Sequence, residues 1–225
     1  MKRSLLFVAL LALSGVVSAH DHDGPGRDID KVNGSITASA GEAYGDLSTV
    51  NGGIDLESGA RAGDVETVNG GIEAADNVGA RSVSTVNGAI RFGKQSRIDG
   101  DVETVNGGIF IDRGGNVRND VTTVNGAIGL VDTDLGGGIE TVNGDVTVGV
   151  GSHVKGGIHV EKPNSTGMQW GKQRIPRILI GPGAVVDGAL VFERDVVLYV
   201  HNTARIGSVR GATPTSYNTA TPPKD

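Results

Sequence analysis

Along the middle of the chain, apolar positions alternate with polar ones over short runs, then restart at a longer interval around a Val-Asn-Gly triplet. The triplet's asparagines are Asn33, Asn51, Asn69, Asn87, Asn106, Asn125 and Asn143, spaced 18, 18, 18, 19, 19 and 18 residues apart. With asparagine as position zero, position −4 reads Ile29, Leu47, Val65, Val83, Val102, Val121 and Ile139, and position −1 is always valine. Position +3 runs from Ile36 to Val146, and position +5 is Ala38, Leu56, Ala74, Phe92, Ile111, Leu130 and Val148. Alternation over so few residues predicts short strands with one buried face, and the β-branched bias agrees. Self-similarity at a fixed interval predicts units that cover one another's apolar faces by stacking. The expected fold is all-β, a single-domain parallel β-helix of about nine coils of 18–19 residues.

Asn-Gly is also the strongest short cue for a β-hairpin. A meander of hairpins gives no reason for one residue to return to one column. Parallel stacking does, setting each asparagine about 4.8 Å above the last, where amides can bond along the axis. The seven asparagines are therefore the predicted structural ladder. Valine at −1 is expected to point inward, leaving Thr49, Thr67, Thr85, Thr104, Thr123 and Thr141 at −2 outside with the asparagines as a regular polar grid. Position −3 (Asp30, Ser48, Glu66, Ser84, Glu103, Thr122, Glu140) is read as outward too. Its alternation of acid and hydroxyl doubles the distance between carboxylates to about a Debye length.

Outside the repeats the chain changes character. Residues 1–19 read as a secretory signal peptide, with Lys2 and Arg3, an apolar run from Leu5 to Val17 and a small-residue cleavage site at Val17-Ser18-Ala19. The run falls short of the about 20 residues that cross a bilayer, so no transmembrane segment is expected. Residues 20–27 are a polar leader. If cleavage follows Ala19, His20 and His22 could wrap copper or nickel at the new amine, although a solvated leader is the plainer reading. Residues 28–160 form the repeat solenoid, and 161–176 an excursion loop carrying Met168 and Trp170, a candidate contact loop or a flap over one face. Residues 177–210 resume coiling, and the Thr- and Pro-rich 211–225 is expected to be disordered.

Composition narrows the classes. Four Phe, three Tyr and one Trp against 37 Gly suit a narrow solenoid interior better than a globular core. There is no cysteine, which excludes disulfides and thiol lipidation. The net charge of −6 becomes −8 once Lys2 and Arg3 leave with the signal, which argues against nucleic acid or an anionic membrane as partner.

Two resemblances follow from quoted residues. Ile180-Gly181-Pro182-Gly183-Ala184-Val185-Val186-Asp187-Gly188, with Ala204-Arg205-Ile206-Gly207, resembles the coils of the bactofilins, bacterial polymer-forming cytoskeletal proteins with a short β-helix. The rungs from Asn33 to Asn143 are more similar to a bacterial adhesin-like family of unknown function that carries Val-Asn-Gly-x-Ile repeats. These imply a β-helix and self-assembly. Bactofilins work inside the cell, whereas an export signal points here to the periplasm or the cell surface.

The expected function is a non-enzymatic structural or adhesin-like solenoid of the bacterial envelope that self-associates end to end, with an envelope component or polysaccharide as further partner. No cofactor, metal or catalytic residue is assigned. An alternative is a carbohydrate-active β-helix enzyme using the outward pairs Asp64 with Glu66 and Asp101 with Glu103. These recur as a stripe without an aromatic platform, and a solvated acidic face reads better. A second alternative is an ice- or mineral-binding Thr-Asn array.

Overall fold

The computed structural model describes residues 26–163, 174–219 and 221. Every strand pairing is parallel, and the strands form three sheets that wind together as a β-solenoid of about ten turns. Sheet A has ten strands, from Arg27–Asn33 to Val209–Arg210, and sheet B ten, from Ile36–Ala38 to Thr215–Tyr217. Sheet C has seven, from Gly79–Ala80 to Arg205–Ile206, extended below by single bridges at Ala43, Arg61 and Gly79. Nine strand spacings make a rise of about 43 Å. Among the described residues no helix is long and apolar enough to cross a membrane.

One coil shows how the sequence drives the winding. Val65–Asn69 lies in sheet A, Asn69-Gly70-Gly71 turns the corner, Ile72–Ala74 lies in sheet B, and Gly79–Ala80 lies in sheet C. The next coil stacks without a register shift: Val65 faces Val83, Thr67 faces Thr85, and Asn69 faces Asn87. The sheet B to sheet C corner needs a left-handed residue. Gly41, Gly59, Gly114, Gly151 and Gly183 supply it without strain, while Asn77, Gln95 and Asp132 adopt it at φ of 62, 56 and 45°.

The core is a stack of aliphatic columns. Positions −4, +3 and +5 are buried throughout the repeats apart from the half-buried Ile29, joined by Ile98, Val117, Leu135 and Val154 from sheet C. Ala38, Leu56, Ala74 and Phe92 alternate small and large in one column, so bulky side chains fill the room left above and below them.

Two expectations about which way side chains face are corrected. Valine at −1 does not point inward: Val32 and Val50 are 67% and 41% exposed, and Val105 is half-buried. Threonine at −2 is the inward residue, with Thr49, Thr67, Thr85 and Thr104 at 3–4% exposure and Thr123 and Thr141 at 0%. The reason is strand alternation: with −4 buried, −2 shares its face and −1 takes the other. Threonine is tolerated inside because its hydroxyl donates to the glycine carbonyl of the coil below, as from Thr67 to Gly52 O at 2.8 Å and Thr85 to Gly70 O at 2.9 Å. Threonine therefore contributes no outer array with asparagine.

The tail also differs from expectation. Thr215–Tyr217 forms the last strand of sheet B, paired with Val197–His201. Tyr217 is buried, packs edge-on against His201 with ring centroids 5.0 Å apart, and donates its hydroxyl to Ile180 O at 3.3 Å. A strand-favouring Thr-Ser-Tyr run with a ring to pack against outweighs the disorder-prone composition around it. Met168 and Trp170, His20 and His22, and residues 1–19 lie outside the described residues.

Candidate functional site: ladders on the face of sheet A

Parallel in-register stacking brings the seven predicted asparagines into one line at the edge of sheet A. Each side-chain amide donates to the carbonyl oxygen of the asparagine one coil below. The Nδ2–Oδ1 distances are 3.1 Å from Asn51 to Asn33 and 3.0 Å for Asn69 to Asn51, Asn87 to Asn69, Asn106 to Asn87, Asn125 to Asn106 and Asn143 to Asn125. The top acceptor is closed by Arg194, which donates from Nη1 to Asn143 Oδ1 at 2.5 Å and to Val142 O at 2.9 Å. Arg194 stands four residues after the inward Leu190, as each asparagine stands four after its own −4 residue. That offset was the available signal for this cap, masked by the loss of the Val-Asn-Gly text.

A second ladder, not anticipated from the sequence, runs along position −5. The carboxylates of Asp28 and Asp46 each accept the backbone N–H of the aspartate one coil above, at 2.8 Å. Asp101 and Asp120 likewise accept from Asp120 N and Gly138 N, at 3.2 and 2.6 Å. Arg81 bridges two rungs, with Nε 2.6 Å from Asp64 Oδ1 and Nη2 3.0 Å from Asp46 Oδ1. The hydrogen bonds to Asp64 hold the Arg81 guanidinium above its ordinary pKa.

The acids at −3 stand beside this ladder and feel it. Partial burial first, then Asp64 and Asp46, push the Glu66 carboxyl above the usual carboxylate range, with Arg81 opposing. Glu103 is raised by burial and by Asp101, Asp120 and Glu140. Glu140 is raised by burial, Glu161 and Asp120, against His159. The acid pairs weighed from the sequence thus sit on one face. Asp64 is tied to Arg81, and Asp101 to the Asp120 backbone and to Asn119 Nδ2 at 3.3 Å.

Higher up, the −5 column loses its carboxylates to Gly138, Gly157 and Ala189. There a shallow groove of about 480 Å³ opens, lined on one side by Asp120, Glu140, His159 and Val191. The small residues answer to coil contact: a Cβ on Gly157 would lie 2.1 Å from Ala189 O, and one on Gly156 2.5 Å from Gly137 O. His159 Nε2 meets Glu193 at 3.2 Å, His153 Nε2 meets Asp187 at 2.7 Å, and His201 packs on Tyr217. The three imidazoles therefore serve three separate places. Among the described residues no three His, Asp or Glu side chains converge on a metal-sized site.

Comparison with protein families, curated proteins and solved structures found no match to this chain.

Proposed function

We propose that the protein is a non-enzymatic structural rod, exported to the bacterial envelope, that associates end to end through the edges of sheet A. The observation that carries this reading is what those edges present. Among the described residues no strand covers the lower side of Arg27–Asn33 or the upper side of Val209–Arg210. The pairing of Leu190 with Val209, and of Ile29 with Leu47, defines where a further coil would sit. A second copy stacked in that register sets its Ile29 over Val209 and its Asp30 over Arg210. Asp30 and Arg210 are exposed and opposite in charge.

The sheet B edge is less suited. In lower coils the residue at +3 donates its N–H to the coil above, as Ile54 does to Gly71 O at 3.0 Å. In the last coil this place falls to Pro214, one before Thr215, and proline has no N–H to give. Contact of a lower edge with an upper edge is heterologous and does not close, so it builds a filament. The acidic face and a charge of −8 after signal removal oppose side-by-side clumping. Export rests on the apolar segment from Leu5 to Val17.

Negative-stain microscopy of the purified protein at rising concentration tests the reading. Filaments one rod wide, lengthening with concentration, are expected. Single rods at every concentration would refute it.

A further inference from the structure

Seven Asn-Gly steps bring a chemical liability that the ladder does not shield evenly. In such a step the glycine nitrogen, on losing its proton, attacks the asparagine side-chain carbonyl carbon. A ring C–N bond forms, the bond to the side-chain nitrogen breaks, and ammonia leaves with the proton. Water then opens the succinimide to aspartate or isoaspartate, so the sum is water in and ammonia out, with no redox change. Glycine is the residue that least obstructs this attack, having no Cβ.

Five of the steps tie up the attacking nitrogen. Gly34, Gly52, Gly70, Gly88 and Gly107 each donate their N–H to the backbone carbonyl of the asparagine one coil above, at 2.8, 3.1, 3.1, 3.1 and 2.9 Å. The pattern fails at Gly126. Among the described residues its N–H makes no hydrogen bond, although Asn143 still donates its own N–H down to Val124 O at 2.8 Å, so only the glycine half of the pairing is lost. Two further observations mark the same place. The sheet A strand above it ends at Thr141, short of the asparagine that closes the strand Val121–Asn125. The Thr141 hydroxyl, whose equivalents donate to the glycine carbonyl below, has no partner. Asn125 is exposed and Gly126 half-buried, so both solvent base and water reach them. The next step up is guarded otherwise: Gly144 is buried, and Arg194 holds the Asn143 carbonyl.

We infer that Asn125 is a site of spontaneous succinimide formation, the one rung of the ladder that the fold leaves open to conversion. The product matters to the stack. Asn125 donates to Asn106 Oδ1 and accepts from Asn143 Nδ2. A carboxylate at this position has no hydrogen to offer Asn106, and the isoaspartyl form lengthens the main chain just before Ile128. Conversion therefore parts the ladder between the fifth and sixth asparagines and marks the age of the molecule.

The test is to hold the folded protein at mildly alkaline pH and physiological temperature, then digest it and resolve aspartyl from isoaspartyl peptides by mass spectrometry over time. Asn125 is expected to convert about fivefold or more faster than Asn51, Asn69 and Asn87, since one backbone hydrogen bond is worth about 1 kcal/mol. In denaturant the seven steps should converge on similar rates. Equal rates in the folded protein, or any other asparagine converting first, would overturn the inference. So would the same order persisting in denaturant, because local sequence and not the fold would then set it. Asn125→Gln should remove the fast phase, and a fast phase that survives it would likewise refute the assignment.

Discussion

In the coils from Asn33 to Asn143, an amide ladder at position zero ties each turn to the next, and a carboxylate-to-backbone ladder at position −5, interrupted at Ser82, reinforces it. From Ile158 upward the same two columns hold none of this. Position zero passes to the excursion and then to Arg194, position −5 to glycine and alanine, and the outer contacts become His153 with Asp187 and His159 with Glu193. Yet the three sheets pass through both regions without a break in register. What the regions share is the backbone ladder and the filled interior. The inner columns therefore carry the fold, and the outer ladders reinforce the lower coils.

The largest effects should come from charging an inner column in either region. Val102→Asp and Ile180→Asp each place an unpaired carboxylate where exposure is 0%, and each should cost more than about 4 kcal/mol. Val105→Asp, on the outer face of the same strand as Val102, should cost under about 1 kcal/mol. Denaturant midpoints check this, and a Val105→Asp protein as damaged as Val102→Asp would reverse the assigned faces.

A middle-sized effect should separate the regions. Asn87→Ala leaves Asn69 Oδ1 and Asn106 Nδ2 without their axial partners and should cost about 1–2 kcal/mol. His159→Ala removes a solvent-facing pair and should cost under about 1 kcal/mol. Equal losses would mean that the amide ladder adds nothing that the upper coils lack.

The smallest effect is one of pH, and it belongs to the lower coils and their junction with the upper ones. The folded pKa values of Glu66, Glu103 and Glu140 are raised above the 4.5 of the free group. The folded state then binds protons more readily than the unfolded state, so stability falls as pH rises through the raised values and is recovered below about 4.5. Replacing all three by Gln should flatten that part of the profile and raise the midpoint at neutral pH. A triple variant with an unchanged slope would show that these acids are not the source.

Much of the architecture could be read from the chain because stacking copies each residue's role into a column, and a column of seven identical or alike residues is visible as text. The Asn ladder was legible for that reason. Facing was not legible at the valine. Hydrophobicity alone sends Val105 inward and Thr104 outward, and only alternation counted from the buried Val102 reverses them. The aspartate ladder escaped notice because its partner is a backbone N–H, which no side-chain pattern records. Arg194 escaped because its column had lost its repeat. The final strand, Thr215–Tyr217, continues the sheet B columns with Pro214 and Ser216 where the repeats put aliphatic residues, so its sequence hides its place, and Tyr217 anchors it through contacts with His201 and Ile180.

End-to-end association is tested most directly by sedimentation equilibrium of two charge-reversed proteins, Asp30→Arg and Arg210→Glu, alone and mixed. Each alone sets like charges together at the junction and should sediment as a single rod at concentrations where the unaltered protein is a polymer. Mixed, the lower edge of the first protein, now basic, meets the upper edge of the second, now acidic, while the unaltered Asp30 of the second meets the unaltered Arg210 of the first, so alternating polymers should form. Polymers from either variant alone at the strength of the unaltered protein, or a mixture that stays wholly monomeric, would contradict the junction.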